Sequence, residues 1–429
     1  MTAPTGKAGQ TGQAGQTGQV APSGQAEKAA TPLWRNRDFA LLWSGQVVST
    51  TGARISATAM PLLVLALTGS PTDAGLVGAA ATLPYLIGHL PAGPLVDRWN
   101  RRRILLVSQV TAALVLATVP IALWLGALTV AHLAVVAFVH GLCFVFFGLA
   151  EAAALPLIVP PAQLHTAIAR NEVRTRGAAL AGGPLGGLLF GIDRALPFVT
   201  EVLSYAAASI ALIFLRRDLQ EETAEPPEPL WRAALTGLRW IWRHPLVRAA
   251  ILLVTASNLV FQAVILVLVV RAQAGGASAA ETGLMLGIYS GGGMLGAFAA
   301  GWLHRFFTPR TVIIGVNWVW AALLPLFAVT DEPLWLGVIG AATAFVGPLW
   351  NVVIVGYFAL LVPNQLQGRV TSASKTLSWG SMPVGSLTGG LLLSGLGARG
   401  TVLVLTGIML ATAVAATASP AVRGGGQSG

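Results

Sequence analysis

Twelve apolar stretches dominate this chain, and no other feature restricts its fold as strongly. They run over about residues 38–68, 72–96, 103–125, 131–155, 174–192, 196–215, 246–271, 279–304, 311–329, 333–360, 370–395 and 399–419, each closed by a short polar or Pro/Gly-containing joint. A helix needs about 20 mainly apolar residues to cross roughly 30 Å of hydrocarbon, and these stretches have about that length or more. The pattern predicts an all-α membrane protein with twelve transmembrane helices. Only 10% of the 429 residues are charged, against about a quarter in a soluble domain. Lipid, not water, is the solvent for most of such a surface.

The single cysteine, Cys143, lies inside the fourth stretch, so no intrachain disulfide can form. It reads as a small packing residue. No Cys/His cluster with zinc spacing and no G-x-x-x-x-G-K-S/T phosphate loop occurs, so no metal or nucleotide cofactor is expected. Residues 1–32 carry repeats such as Ala8-Gly9-Gln10-Thr11-Gly12-Gln13 and almost no large apolar side chains. They are expected to form a disordered cytoplasmic tail. They also lack the apolar core of a cleavable signal, so the first transmembrane helix is expected to start insertion.

The formal net charge of +10 raises the question of nucleic acid, and the placement of the arginines answers it. Arg35 and Arg37 precede the first helix, and Arg98, Arg101, Arg102 and Arg103 join the second to the third. Arg170, Arg174 and Arg176 lie between the fourth and fifth, and Arg305 and Arg310 follow the eighth. The opposite loops hold only Arg194, Arg271 and Arg399. This is the positive-inside pattern, which places both termini in the cytoplasm of a bacterial-type plasma membrane. It uses most of the positive charge without a nucleic-acid partner.

The hydrophilic connection 216–245 separates a bundle over 33–215 from a second over 246–419, and 420–429 form a short cytoplasmic tail. Glu221–Pro229 reads as an extended acidic linker. Leu230–His244 mixes Trp231, Leu235, Trp240, Ile241 and Trp242 with arginines, the composition of an amphipathic helix at the headgroups. The two halves repeat each other. Ala92-Gly93-Pro94-Leu95 matches Ala300-Gly301-Trp302-Leu303 at an offset of 208, and Pro160, Gly182 and Gly186-Gly187 match Pro363, Gly385 and Gly389-Gly390 at 203. Two pseudosymmetric six-helix bundles are the architecture of alternating-access carriers, with the substrate between them near mid-membrane.

Between the second and third helices the chain reads Gly93-Pro94-Leu95-Val96-Asp97-Arg98-Trp99-Asn100-Arg101-Arg102-Arg103. This resembles the signature loop of the Major Facilitator Superfamily, G-x-L-x-D-R-x-G-R-R, with Asn100 in place of the second glycine. Asn tolerates left-handed backbone, so the turn is expected to survive. Pro160, Gly183-Pro184-Leu185-Gly186-Gly187, Ser204-Tyr205 and Gly237–Pro245 resemble the branch with macrolide-efflux proteins and the enterobactin exporter. The resemblance implies export of a small, often amphipathic organic molecule, driven by inward proton flow. It implies a conformational latch at Gly93, Asp97, Arg98, Arg101 and Arg102. It also implies a helix-bend motif at Gly183, Pro184, Gly186 and Gly187, although Leu185 alone separates pairs that the usual antiporter motif spaces by two residues. Ala137 stands where many drug–proton antiporters carry an arginine, a departure that weakens proton antiport as the coupling mode.

Ionisable groups at lipid depth cost several kcal/mol and mark cavities or partners. Arg54 lies near the middle of the first helix, as a cavity cation for an anionic group or a nearby acid. Glu151 and Glu201 are candidates for the coupling proton. His89 and His140 titrate in the useful range but read more readily as hydrogen-bonded packing. Asn258 and Gln262 share one face of the seventh helix, with Asn317 and Asn351 as further polar points. Trp318, Trp320, Trp350, Trp379, Tyr289 and Phe261 are candidates for an aromatic lining.

The sequence therefore predicts a non-enzymatic, monomeric secondary transporter whose partners are a small-molecule substrate, protons and the bilayer. An uptake carrier of the same fold fits the same residues. So does a non-transporting membrane sensor or assembly factor.

Overall fold

The computed structural model describes residues 32–215, 219, 230–363 and 366–424. The expected disordered tail, apart from Pro32, lies outside the described residues, as do the acidic half of the linker and residues 425–429. The chain forms α1 (Arg37–Thr68), α2 (Pro71–Ile87), α3 (His89–Arg98), α4 (Arg101–Trp124), α5 (Val130–Ile158), α6 (Leu164–Ile192) and α7 (Leu196–Ile213). After the linker come α8 (Leu230–Arg243), α9 (Pro245–Ala274), α10 (Ala279–Leu303), α11 (Pro309–Leu323), α12 (Pro333–Leu361), α13 (Gln367–Trp379), α14 (Met382–Ala418) and the single turn α15 (Pro420–Arg423). No strand occurs among the described residues. In hydrocarbon a helix satisfies every backbone donor and acceptor within its own segment, which is why apolar stretches of this length take this form.

Nine helical segments among the described residues are long and apolar enough to cross a membrane. One of them, Gln367–Ala418, is long enough for two passes and is kinked at Gly397 (φ 67°, ψ 176°). With the α2–α3 pair and α6 added, the helices are consistent with the twelve expected passes. α2 lies along α5 and α14, and α6 lies along α1 and α10. Neither is among the nine, for a visible reason: α2 ends at Gly88 after 17 residues, and the first half of α6 carries Arg170, Glu172, Arg174 and Arg176.

Two expected helices are broken. The second, expected unbroken over 72–96, divides at Gly88 before Pro91 and Pro94, neither of which has a backbone donor. The eleventh divides at Gly380 and Ser381. A side chain at Gly380 would come 2.6 Å from Leu86 Cδ1, so the two breaks face each other.

Side-chain caps fix the helix starts. Asn36 accepts from Phe39 N, Ser70 from Asp73 N, Thr129 from His132 N, and Ser278 forms a capping box with Glu281. Asn100 does the same for α4, accepting from Arg103 N at φ −60°, ψ 112°. The expected left-handed backbone at Asn100 is therefore absent. The turn needs a capping acceptor there, not a residue tolerant of positive φ.

In the first bundle α1 packs on α6 and α7, and α4 on α5 and α7. In the second α9 packs on α14, and α10 on α12. Large apolar side chains such as Leu114 and Phe298 are about two-thirds exposed, as a lipid-solvated surface requires. The bundles meet through α6 against α10 and α2 against α14. Gly183 is so close to α10 that an added Cβ would sit 2.6 Å from Gly287 N, and one at Gly75 would sit 2.9 Å from Gly390 Cα. The Thr72 and Ser394 hydroxyls are 2.7 Å apart nearby. All these contacts lie toward the helix ends away from the arginine-rich turns. Toward the arginine face, α6 reaches Gly177, where an added side chain would meet nothing within 4 Å. The bundles thus meet tightly at one end, while at the arginine end they meet through α3 against α8 and α13.

The expected amphipathic helix is α8. Its Ile241 is buried in a cluster with Val247, Ile251 and Val370, and Trp240 stacks on His244 at 3.8 Å. α8 packs on α13, the half-span beyond the Gly380 break.

Candidate functional site

A cavity of about 580 Å³ lies between the bundles, and both contribute walls. α1 supplies Arg54 and Ser56, α2 Tyr85, α5 His140 and α7 Glu201, while α9 supplies Gln262, α10 Tyr289 and α13 Trp379. Residues marked by sequence, Arg54, His140, Gly183, Glu201, Gln262, Tyr289 and Trp379, are brought together here. Glycines make the geometry possible. A side chain at Gly186 would come 2.5 Å from Ile55 O, so α6 seats α1 at the depth where Arg54 and Ser56 enter the cavity.

Glu201 is completely buried. Ser56 donates a short hydrogen bond to its Oε2. Its Oε1 lies 3.0 Å from His140 Nε2, yet it has no hydrogen bond of acceptable geometry and counts as an unsatisfied buried oxygen. The same Nε2 lies 2.7 Å from the Tyr205 hydroxyl. A buried acceptor without a donor is costly, and one proton between Oε1 and Nε2 would remove that cost. His140, read from sequence as hydrogen-bonded packing, and Ser56, which the sequence did not mark, reach Glu201 from other helices. Tyr205 had a signal, since it stands four residues after Glu201 on one helix face.

Arg54 makes no hydrogen bond or ion pair among the described residues, yet it faces the cavity. Around it the walls are aromatic. Trp379 lies 5.7 Å from Tyr85 and 5.4 Å from His89, ring centre to ring centre. A second cavity of about 340 Å³ adjoins the first through Ala179, Tyr289 and Ser290, and is lined by Asn258, Phe261, Trp320, Trp350 and Asn351. Here Asn258 donates to Ser378 O at 2.8 Å, Trp320 donates to Thr343 O at 2.9 Å, and the buried Trp350 Nε1 has no partner. Trp318 donates to Thr417 Oγ1 on another surface, and the buried Asn317 donates to Ile313 O. Neither lines a cavity described here.

Glu151 stands apart from the cavities. Arg174 donates to both its oxygens, at 2.7 and 3.2 Å, and the pair is 7% and 13% exposed. Of the latch residues, the side chains of Gly93 and Asp97 lie outside the described residues. Arg101 donates to Ala153 O at 3.4 Å and Arg102 to Ile213 O at 2.6 Å, while Arg98 is exposed. The Gly183–Gly187 segment lies at tight crossings with α1 and α10, and α6 runs through Pro184 without a break.

The family described as transmembrane secretion effectors matches residues 28–425. The chain belongs to this family of major facilitator transporters. The chain is 28% identical over 399 residues to the multidrug efflux pump Tap of Mycolicibacterium fortuitum, covering 90% of this chain and 95% of that one. It is 22% identical over 369 residues to macrolide efflux protein A of Streptococcus pyogenes, covering 84% and 90%. These relatives place it on the efflux branch of the major facilitators. Its fold is similar to the crystal structure of the nucleoside transporter NupG, with a TM-score of 0.71 at 11% identity over 89% of this chain and 98% of that one. It is also similar to a bacterial homologue of ferroportin in an inward-facing state, with a TM-score of 0.67 at 15% identity over 89% and 98%. At these identities the likeness is one of fold.

Proposed function

We propose that this chain exports a small amphipathic or hydrophobic organic molecule across a bacterial plasma membrane by alternating access, in exchange for protons. The observation that carries the reading is Glu201. A completely buried carboxyl, with one oxygen unsatisfied and an imidazole 3.0 Å away, forms part of the wall of the cavity between the bundles. Arg54 supplies a cation to the same cavity, and Gln262, Tyr289 and Trp379 supply a polar and aromatic lining for an amphiphile.

Charge placement supports an orientation with the arginine-rich turns and both termini in the cytoplasm. On that reading the glycine contacts close the outer face, which supports an inward-facing state that admits substrate from inside. Protonation of Glu201 from outside and release inside would then bias the exchange of states, since each ligand acts only through its differential affinity for them. Two bundles of this size interact as single monomeric units around α6–α10 and α2–α14. The latch role of Asp97 with Arg98, Arg101 and Arg102 belongs to the same proposal, as does bending of α6 at Gly183, Pro184, Gly186 and Gly187.

The efflux relatives favour export, and the nucleoside transporter shares the fold without setting a direction. Everted membrane vesicles from cells expressing the chain, given an inward-acidic proton gradient, should accumulate ethidium or erythromycin and release it on adding an uncoupler. Uptake confined to right-side-out cells would replace export by import. Accumulation untouched by the uncoupler would remove proton coupling.

A further inference from the structure

A groove of about 670 Å³ runs between the end of α3, the first half of α4 and the facing part of α5, and shares no lining residue with the central cavity. Arg98, Trp99 and Arg103 line one end, Val107 and Phe146 its body, and Thr111 the far end. The walls open outward: Val107 is 62% and Trp99 54% exposed. From Arg101 to Thr111, α4 rises about 15 Å at 1.5 Å per residue, half of the roughly 30 Å hydrocarbon core. The groove thus has the depth of one leaflet, with its cationic end at the level of the turns.

The arginines of this turn divide into two pairs. Arg101 and Arg102 reach back to the carbonyls of Ala153 and Ile213. The Arg98 and Arg103 side chains have no hydrogen bond or ion pair among the described residues, and both are exposed at the mouth of the groove. Two free guanidinium groups suit an oxyanion, which each can bind with paired N–H donors. Tryptophan between them is the side chain that settles at the headgroup level. An apolar slot one leaflet deep below an anion-binding mouth matches a single lipid molecule, since a soluble anion would leave the slot empty and a neutral lipid would leave the arginines unanswered.

We propose that this groove holds one anionic glycerophospholipid, its phosphate between Arg98 and Arg103 and one acyl chain along Val107 and Phe146 toward Thr111. The bound lipid bridges α3 and α4 across the turn that carries the arginine cluster, and makes that joint sensitive to the acidic-lipid content of its leaflet.

Native mass spectrometry of the purified full chain, titrated with dioleoylphosphatidylglycerol or dioleoylphosphatidylcholine, tests this. The first phosphatidylglycerol is expected to bind at least about tenfold more tightly than the first phosphatidylcholine. Arg98→Gln/Arg103→Gln should lose about thirtyfold in phosphatidylglycerol affinity, roughly fivefold for each arginine near the surface. Val107→Trp, which fills the slot and keeps both arginines, should also weaken it. Arg239→Gln/Arg243→Gln, with the same charge loss on α8, should bind as wild type does. Equal affinity for the two lipids, a double variant indistinguishable from that control, or full binding to Val107→Trp would each overturn the assignment.

Discussion

His140 Nε2 and Glu201 Oε1 stand 3.0 Å apart across α5 and α7, with Tyr205 2.7 Å from the same nitrogen and Ser56 bonded to the other carboxylate oxygen. Three helices converge on one buried acid. Such an acid in a low-dielectric bundle either finds a permanent cationic partner or exchanges a proton. The group nearest its unsatisfied oxygen is a histidine, a side chain that is charged only when protonated.

Tyr205→Phe removes one neutral hydrogen bond from this cluster, worth about 1 kcal/mol, and should slow gradient-driven export about fivefold. His140→Gln removes the accepting nitrogen and should slow it further. Initial rates of dye accumulation in everted vesicles check both. Driven rates equal to wild type in both variants would mean that the cluster only packs.

Glu151 is expected to act in stability. Its two hydrogen bonds to Arg174 tie α5 to α6, and Glu151→Gln leaves a nearly buried guanidinium unpaired. The expected loss is about 3–5 kcal/mol, with Glu151→Gln/Arg174→Gln milder because no lone charge remains. Thermal unfolding in detergent should rank wild type, double variant and single variant in that order. A single variant as stable as wild type but without proton coupling would return Glu151 to the coupling site.

The closed face depends on glycine. Gly183→Leu should oppose the approach of α6 to α10 by about 1–3 kcal/mol, opening that face about five- to a hundredfold more often. Thr72→Cys, placed at the hydroxyl contact with Ser394 in a Cys143→Ser background, reports it. Its labelling by a membrane-impermeant maleimide should accelerate in Gly183→Leu, and an unchanged rate would mean that this contact does not hold the face shut.

The Arg54 guanidinium has no hydrogen bond or ion pair among the described residues, and Gln keeps the Cβ that packs at Gly182, so Arg54→Gln should leave the melting temperature within a few degrees of wild type. Transport of amphiphiles that carry an acidic group should fall, and that of uncharged ones should persist. Equal transport of both classes would remove Arg54 from recognition.

Much of the fold was legible because lipid imposes a length and a composition on every span, and because charge cannot be scattered freely among the turns. The interruptions were not. Gly88 and Gly380 are ordinary glycines in apolar sequence until the two broken helices are seen to touch. At the site, Arg54, Glu201 and Gln262 were readable as polar residues at lipid depth, and the cavity gathers them. Glu151 looked equivalent in sequence, and only its neighbour across α5 and α6 distinguishes an ion pair from a proton carrier. His140 was undervalued for the converse reason: its meaning lies in a carboxylate on another helix.

The most direct measurement compares wild type and Glu201→Gln in proteoliposomes loaded with a pH-sensitive dye. Adding ethidium to wild type should move protons opposite to the dye. Glu201→Gln should still exchange labelled for unlabelled ethidium, with no proton movement. Substrate-coupled proton flow that survives in Glu201→Gln would contradict the account.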